Sequence, residues 1–281
     1  MNISLDNLKG YRRGNELICR CPNPAHDDQN PSFNLNLETG CYFCFGCGLR
    51  GRIDLDCKII KEQPKNILGR KKVSFDDFRP VYHEYLKQRG IDKITAQEFE
   101  IGYSPSYRAV VLPCRNMVGG KLGDIGRLVY ESSYRYLYST GFDRSASFYG
   151  LKFMEAPMRE IILVEGAFDC LKLFTLRIRN VMAILGTWLS EGQKKILSML
   201  QVKRIFLCLD SDKAGYERSK DIGLSLINNG FDVRICRLKN RNDPGEMESA
   251  NEMYEAINES KIYYDFIFEG RCERKKCAFE N

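Results

Sequence analysis

The hydrophobic pattern over residues 161–238 consists of short apolar runs, each followed by apolar positions at helical spacing. The run at residues 161–164 stops at Glu165, and the run at residues 205–209 stops at Asp210 and Asp212. Short aliphatic runs of this kind are typical of buried parallel strands. Further elements are predicted at residues 180–185 (strand), 190–200 (helix) and 232–238 (strand). The pattern therefore predicts alternating strands and helices around a parallel sheet.

The acidic residues that end these runs are candidates for a metal site. Because the carboxyl ends of parallel strands meet at one edge of a sheet, Glu165, Asp210 and Asp212 are expected to converge there. Three adjacent carboxylates repel one another unless a cation lies between them. Hard oxygen ligands beside a phosphate suit Mg²⁺ or Mn²⁺. The alternative for each acid is that it caps the helix that follows it.

Residues 1–58 are cysteine-dense and lack long apolar runs, so this segment needs a cross-link to fold. Cys21, His26, Cys44 and Cys47 have the spacing of a tetrahedral structural zinc site, with a C-x-x-C knuckle and a distant Cys/His pair. The alternative is a reduced cysteine cluster without metal. Cys19 and Cys41 are alternative ligands for this site, but we expect both of them to be structural or exposed. Alternating apolar positions predict a hairpin that turns at Thr39 and Gly40: Phe33, Leu35, Leu37, Tyr42 and Cys44.

Composition narrows the class of protein. The 281 residues are 43% hydrophobic and 28% charged, which is typical of a globular chain with room for more than one core. The sequence has no apolar stretch of about 18 residues and no secretory signal, so we expect no membrane span. Twelve cysteines in such a chain indicate a reducing, cytoplasmic setting and metal binding or packing, not disulfides.

The charge distribution indicates where a polyanion would bind. A net charge of +6 is too small to identify a nucleic-acid partner by itself. Residues 61–160, however, hold 17 Lys/Arg against 12 Asp/Glu, while the rest of the chain is nearly neutral. The middle of the chain is therefore the expected surface for a polyanion.

The strand-end motifs resemble the TOPRIM domain of topoisomerases and primases. The resemblance is carried by Glu165 and Gly166, by Asp169 one helical turn later, and by the sequence D-S-D-K-A-G at residues 210–215. It implies a divalent metal held by Glu165, Asp210 and Asp212, with support from Asp169. Where the family has D-P-D, this chain has Asp243, Pro244 and Gly245, so Asp243 joins the metal ligands and the second acid is missing or supplied by Glu246.

Residues 21–48 resemble the zinc-binding domain of DnaG-type primases, which is a zinc ribbon. The motifs are C-P-N-P-A-H, then P-S-F, then C-F-G-C-G. Four residues separate Cys21 from His26, where the family commonly has two. The resemblance implies that aromatic side chains of this segment stack on template bases, and the alternative is that they form its core: Phe33, Tyr42, Phe43 and Phe45.

Residues 108–151 resemble, in order, the amino-terminal part of the DnaG-type polymerase core. Four basic residues match family positions that hold template or nucleotide phosphates, or lie beside them: Arg108, Arg127, Arg135 and Lys213. Arginine suits this role because its planar fork pairs with two phosphate oxygens. The sequence R-Y-L-Y-S at residues 135–139 has Tyr138 where the family has asparagine.

Taken together, the motifs resemble a compact DnaG-type DNA primase, of the kind carried by phages and mobile elements. The resemblance implies metal-dependent synthesis of short RNA primers on single-stranded DNA from ribonucleoside triphosphates, with one structural Zn²⁺ and catalytic Mg²⁺ or Mn²⁺. A replicative helicase acting in trans is a further partner. The alternatives are a TOPRIM nuclease or topoisomerase-like enzyme and a non-catalytic module that binds nucleic acid.

The expected fold class is α/β, or α+β overall, and we expect five segments. They are a zinc-binding domain at residues 1–58, a linker at 59–78, the mixed α+β amino-terminal subdomain of a polymerase core at 79–157, a TOPRIM parallel-sheet subdomain at 158–245, and a helical segment and tail at 246–281.

Overall fold

The structure is a computed structural model that describes residues 8, 10–13, 15–26, 31–37, 40–44, 46–52, 72–132, 134–239 and 241–269. The chain divides into two units, residues 1–71 and 72–281. Several sequence expectations fall outside the described residues: Phe45, the hairpin residue Thr39, most of the linker and the tail at 271–281.

The first unit contains a five-stranded antiparallel sheet whose strands follow chain order. Its strands are β1 (Gly10–Arg13), β2 (Glu16–Cys19), β3 (Phe33–Asn36), β4 (Cys41–Cys44) and β5 (Arg50–Arg52). Strands β3 and β4 form the predicted hairpin, with Phe33 opposite Cys44. A small core is buried on one face: Leu17, Cys19, Phe33, Leu35 and Cys44. Alternate positions of β2 and β3 are buried in this core, and the antiparallel sheet agrees with the expected zinc ribbon.

The second unit begins with two short helices and a four-stranded antiparallel sheet. These elements are α1 (Glu84–Gln88), α2 (Lys93–Glu98), β6 (Gly102–Ser104), β7 (Ala109–Arg115), β8 (Lys121–Leu128) and β9 (Tyr136–Tyr138). Residues 72–78, the end of the segment expected to be a linker, pack on this unit. Phe75 is buried, and the Val73 N–H donates to the Thr140 hydroxyl at 2.8 Å.

The predicted parallel sheet follows and is confirmed. Its elements are β10 (Glu160–Val164), α3 (Ala167–Thr175), β11 (Val181–Ala183), α4 (Glu191–Met199), β12 (Arg204–Leu207), α5 (Lys213–Ile227), β13 (Asp232–Ile235), α6 (Ala250–Asn258) and β14 (Lys261–Ile262). The strand order is β11-β10-β12-β13-β14. Strands β10 to β13 pair in parallel, whereas β14 is antiparallel to β13. Strands β10 and β12 are buried on both faces, which explains their continuous apolar runs.

One expected element differs from the structure. Residues 249–268 have a helical pattern, but α6 ends at Asn258 and β14 follows before a second helical segment at residues 263–269. The reason is tertiary: Ile262 pairs with Arg234 along the edge of β13. Tyr263 then packs on Gly223 and donates from its hydroxyl to the Lys220 carbonyl at 3.0 Å.

A buried glutamine holds the loop that follows β11. The Gln193 side chain donates to the carbonyls of Ser147 and Ile184, each at 2.8 Å, and completes a capping box with Ser190. This arrangement supports Leu185, whose φ of 61° is unusual for a side chain with a Cβ. The loop is thereby held at the edge of the sheet where Glu165 and Asp210 also lie.

Among the described residues, no helix combines the length and the apolar composition needed to cross a bilayer.

Candidate metal centres and phosphate-facing surface

Cys21, His26, Cys44 and Cys47 come together in the first unit. Their ligand atoms all lie within 4.8 Å of one another. The Sγ atoms of Cys21 and Cys47 are 3.7 Å apart, and His26 Nδ1 lies 3.5 Å from Cys44 Sγ. A tetrahedral zinc ion with Zn–S bonds of about 2.3 Å requires sulfur atoms about 3.8 Å apart. The group therefore fits a structural zinc site.

The backbone around this group is shaped for it. The Cys47 N–H donates to Cys44 Sγ at 3.4 Å, which is the knuckle geometry that a C-x-x-C spacing allows. A Cβ atom on Gly46 would lie only 2.3 Å from His26 Cε1, so glycine leaves room for the imidazole. The substitute ligands lie outside the group: Cys19 is buried and Cys41 is exposed.

The thiols of the group differ in acidity. Burial opposes ionisation of Cys44, but hydrogen bonds from the Ser32 hydroxyl and the Cys47 N–H outweigh it and lower its pKa to about 6. Burial raises the pKa of Cys21 to about 12, with further contributions from the neighbouring thiols. The lowered pKa favours the Cys44 thiolate, and the thiolate is the form that zinc requires.

In the second unit, Glu165 and Asp210 lie at the same edge of the parallel sheet. Leu163 of β10 pairs with Leu207 of β12, and Glu165 and Asp210 lie two and three residues beyond this pair, just after two adjacent parallel strands. Both side chains are half-buried. The sequence prediction that parallel pairing brings these two acids to one edge is therefore consistent with the topology.

Asp212 also acts as a helix cap, the alternative that the sequence left open. Its Oδ1 accepts the Gly215 N–H at 2.6 Å, and it is the N-cap of α5. A Cβ on Gly215 would lie 2.0 Å from the Asp210 carbonyl oxygen, so the first turn of α5 approaches that backbone closely. Asp212 is 66% exposed, which leaves its second oxygen open to a cation.

Asp169 and Asp243 form the deeper part of the acidic group. Asp169 is buried and accepts the Gly166 N–H at 2.9 Å. Asp243 Oδ1 is buried and has no hydrogen-bond partner in the described part of the chain. A Cβ on Gly245 would lie 2.9 Å from both Asp169 Oδ1 and Asp243 Oδ1, so glycine leaves an open space between these oxygens. An orphaned oxygen beside an open space fits a bound cation.

Glu246 does not supply the acid that is missing at Gly245. Its carboxylate is exposed and accepts the Asn242 backbone N–H at 2.8 Å, closing a local turn. It contributes to the site only through its charge, which helps to raise the pKa of Asp243.

We call Glu165, Asp169, Asp210, Asp212 and Asp243 the carboxylate cluster, because their charges act on one another. Burial, followed by the charge of Asp243, raises the pKa of Asp169 to about 7. Burial and the Asp243 charge raise the pKa of Asp210, and burial and the Asp210 charge raise that of Glu165. Among the described residues, the Cys/His group is the set of three or more His, Cys, Asp or Glu side chains whose ligand atoms lie close enough together to hold a metal ion.

Two arginines that the sequence analysis did not single out face the carboxylate cluster. Arg218 of α5 forms an ion pair with Glu165 at 2.7 Å. Arg89, at the end of α1, lies over the Phe168 ring at 5.6 Å. Its positive charge partly offsets the rise in the pKa of Asp169 and Asp243 that burial and the neighbouring acids cause. Arg218 follows Gly215 by three residues and so shares its helix face, a signal that was available in the sequence.

The predicted phosphate-binding arginines lie at one end of the β6–β9 sheet. Arg127 pairs with Tyr136 in the sheet, donates to the Tyr85 hydroxyl at 2.9 Å and lies over the Tyr136 ring at 4.8 Å. Asp169 and Arg89 influence the pKa of Tyr136, so this aromatic group borders the carboxylate cluster.

Arg108 and Arg135 are exposed on the same end of the sheet. Arg108 lies over the Tyr130 ring at 4.9 Å, and its carbonyl accepts the Val129 N–H. The Arg135 carbonyl accepts the Leu128 N–H. Lys213 is separate from them, exposed at the first position of α5.

A cavity of about 590 Å³ opens beside Asp210, Asp212 and Lys213. Its wall is largely apolar and includes Tyr216 and Phe266, whose rings are 4.8 Å apart. This volume lies within the range of small-molecule sites.

Comparison with known proteins supports this arrangement. Residues 2–61 match the CHC2 zinc finger family, and residues 162–247 match the Toprim-like family. The DNA primase of Aquifex aeolicus is 26% identical over 88% of this chain and 69% of its own length. The crystal structure of the zinc-binding and RNA polymerase domains of the Aquifex aeolicus primase has a TM-score of 0.60 and 24% identity, covering 96% of this chain and 85% of that one.

The chain is similar to DnaG-type DNA primases in sequence and in fold. A DnaG primase catalytic domain bound to single-stranded DNA has the same fold, with a TM-score of 0.56 and 20% identity over 66% of this chain and 74% of that one. The chain spans little more than half the length of other curated relatives, 53% of the DNA primase of Buchnera aphidicola and 59% of that of Clostridium acetobutylicum.

Replacing a ligand of the Cys/His group should release zinc. We expect Cys44→Ser to lose the one equivalent of zinc that the wild type carries and to destabilise the first unit, whose buried core is small. Elemental analysis and limited proteolysis would measure both effects. Cys41→Ser, an exposed cysteine of the same strand, is the control and should keep its zinc. A zinc-free wild type purified without chelator would contradict the site.

The raised pKa of Asp169 should make the stability of the metal-free second unit depend on pH. The folded state favours protonated Asp169. Its contribution to the free energy of unfolding is therefore fully present below the unfolded pKa of about 4 and is lost as pH rises through about 7. Asp169→Asn should therefore gain stability relative to the wild type as pH increases from 4 to 8. Denaturant unfolding at several pH values measures this difference. Asp221→Asn, an exposed change on α5, should leave the wild-type slope unchanged, and an unchanged slope in Asp169→Asn would exclude the assignment.

Proposed function

We propose that this chain is a DNA primase that synthesises short RNA primers on single-stranded DNA in the cytoplasm. One observation carries the proposal: within a single unit, the carboxylate cluster interacts with the charge of Arg89 and borders the Arg127 aromatic group, by which we mean Arg127 with Tyr85 and Tyr136. Nucleotidyl transfer needs both signs of charge, since carboxylates hold the catalytic metal and cations hold the substrate phosphates.

In this proposal, Glu165, Asp210 and Asp212 hold Mg²⁺ or Mn²⁺, with Asp169 and Asp243 in support. The bound cation supplies charge that stabilises the reacting α-phosphate and lowers the barrier to attack by a ribose 3′-hydroxyl. Asp169 keeps its position through the Gly166 N–H, and Gly245 keeps the space between Asp169 and Asp243 open.

The basic residues position the two substrates. Arg127 is held by Tyr85 and Tyr136, so its guanidinium is pre-oriented toward a phosphate of the template or the nucleotide. Arg108 and Arg135 extend this positive surface along the end of the sheet. Lys213 lies at the mouth of the cavity beside Asp210. We infer that this cavity receives the base and ribose of a ribonucleoside triphosphate, with Tyr216 and Phe266 along the base.

In the first unit, we propose one zinc ion bound by Cys21, His26, Cys44 and Cys47. Phe43 is 39% exposed, and we infer that it contacts a template base, whereas Phe33 is fully buried and belongs to the core. A replicative helicase is a further proposed partner. The five segments expected from the sequence remain our proposed domain division, with the linker ending at residue 71 because residues 72–78 pack on the second unit.

The decisive experiment is ribonucleotide incorporation on single-stranded DNA without a primer. Glu165→Gln and Asp210→Asn should each reduce primer synthesis at least a hundredfold, because each removes a metal-binding charge that acts on the reacting phosphate. Radiolabelled ribonucleotides measure the yield, with Mg²⁺ and Mn²⁺ as the metals and Ca²⁺ as a poor substitute.

The control for this experiment is Asp221→Asn, an exposed acid on α5 outside the carboxylate cluster, which should retain wild-type yield. Normal synthesis by Glu165→Gln or Asp210→Asn would contradict the catalytic assignment. DNA cleavage in place of synthesis by the wild type would favour a TOPRIM nuclease instead.

The second test concerns the DNA-binding surface. Each phosphate that a protein neutralises on a single strand adds about 0.7 to the slope of log K against log salt. Arg127→Ala and Arg108→Ala should each reduce this slope by roughly that amount, as measured by anisotropy of a labelled oligonucleotide. Arg127→Lys, which keeps the charge, and Arg12→Ala, an exposed arginine of β1, should leave the slope unchanged. Equal slopes for all four variants would mean that the DNA follows another surface.

A further inference from the structure

Arg218 lies against two of the acids that we propose as metal ligands, Glu165 and Asp212. It belongs to the second turn of α5 and reaches back across the sheet edge, where its Nη2 is 2.7 Å from Glu165 Oε2 and 3.9 Å from Asp212 Oδ1. Its charge also acts on Asp210. One fixed cation therefore faces all three acids that follow β10 and β12.

The side chain is committed to this position. Arg218 is only 20% exposed, and its Nε is buried without a hydrogen-bond partner in the described part of the chain. A guanidinium in such a place loses hydration, and the carboxylates are the groups that offset this loss. An arginine that only made the surface soluble would have its guanidinium in solvent. The burial of Arg218 therefore indicates a role in the carboxylate cluster.

The carboxylate cluster presents a physical problem in the absence of metal. Half-buried carboxylates at one sheet edge repel one another unless a positive charge lies between them. A divalent cation solves the problem when it is bound, but the metal-free protein needs another positive charge. Arg218 contacts the oxygen of Glu165, which is one of the proposed metal ligands.

We propose that Arg218 is a built-in cation of the metal site, which positions Glu165 in the metal-free protein and competes with the divalent cation for the same carboxylates. Arg218 is thus a positioning residue that sets metal affinity. The inference rests on the proposed metal site and adds to it a determinant of metal binding carried by this chain itself.

The proposal predicts a gain of affinity when the charge is removed. Arg218→Met keeps the length of the side chain and removes its charge, so it should bind Mn²⁺ at least fivefold more tightly, in the usual range of coupling between two ligands of one site. Arg218→Lys keeps the charge and should bind Mn²⁺ within about twofold of the wild type. A merely structural role would weaken binding or leave it unchanged in both variants.

The measurement is a Mn²⁺ titration of the whole, zinc-loaded chain, in which electron paramagnetic resonance gives the concentration of free Mn²⁺ at each step. Trace metal is removed by passage over a resin and not with a soluble chelator, so that the Cys/His site keeps its zinc. Melting of the same samples with and without Mn²⁺ gives a second signal. Arg218→Met should melt at a lower temperature than the wild type without metal, and Mn²⁺ should raise its melting temperature by more.

Arg204→Met is the matched control. Arg204 forms ion pairs with Glu160 and Asp232 at 2.8 and 2.6 Å, at the amino ends of the same parallel strands. This variant should lower the melting temperature equally with and without Mn²⁺ and leave Mn²⁺ affinity unchanged.

The outcomes separate this proposal from the proposed function. Mn²⁺ affinity in Arg218→Met that is equal to or weaker than that of the wild type would overturn the role of Arg218 while leaving the metal site in place. A wild-type protein that does not bind Mn²⁺ would overturn both.

Discussion

The parallel pairing of β10 with β12 is the constraint on which the second unit depends. It fixes Leu163 opposite Leu207 and so brings Glu165 and Asp210 to one edge, where burial and mutual repulsion raise the pKa of each. The surrounding structure offsets this cost. Arg218 pairs with Glu165, the Gly166 N–H binds Asp169, and Arg89 adds positive charge from α1. The apolar strands that stabilise the unit thus also bring carboxylates close together, and a cation would reduce the repulsion between them.

The first unit solves a different problem with a different interaction. Among the described residues of this unit, few side chains are buried, such as Phe33 and Leu35, which is little apolar surface for an independently stable sheet. The Cys/His group is joined to this core, since Cys44 belongs to both. A zinc ion bound there would therefore stabilise the sheet. Thiolates suit that purpose because zinc binds them strongly, whereas the carboxylates of the second unit are hard oxygen ligands, the kind that a cation shared with phosphate oxygens prefers.

The sequence predicted what depends on local pattern and missed what depends on tertiary placement. Parallel strands and the position of Glu165 and Asp210 followed from the apolar runs, and the Cys/His group followed from its spacing. Arg89 was not identified, because the contact of α1 with α3 through Phe168 depends on how two subdomains pack. The break between α6 and β14 was also missed, since its cause is the open edge of β13 and not the local pattern. The role of Asp212 as a cap was left open, because one carboxylate has oxygens for both tasks.

The balance between fixed and exchangeable positive charge distinguishes this site from a purely structural metal site. A carboxylate set without arginine would bind a divalent cation more tightly and would be less stable without it. A set fully neutralised by arginine would have no use for a metal. With Arg218 on Glu165, Asp243 Oδ1 unpaired and open space beside Gly245, the cluster is neutralised on the α5 side and open on the α3 side. On the α3 side lie Asp243 and the buried Asp169, next to Arg89 and to Arg127 with its two tyrosines, Tyr85 and Tyr136. The fixed charges therefore leave the exchangeable cation on the side of the site where phosphates are expected.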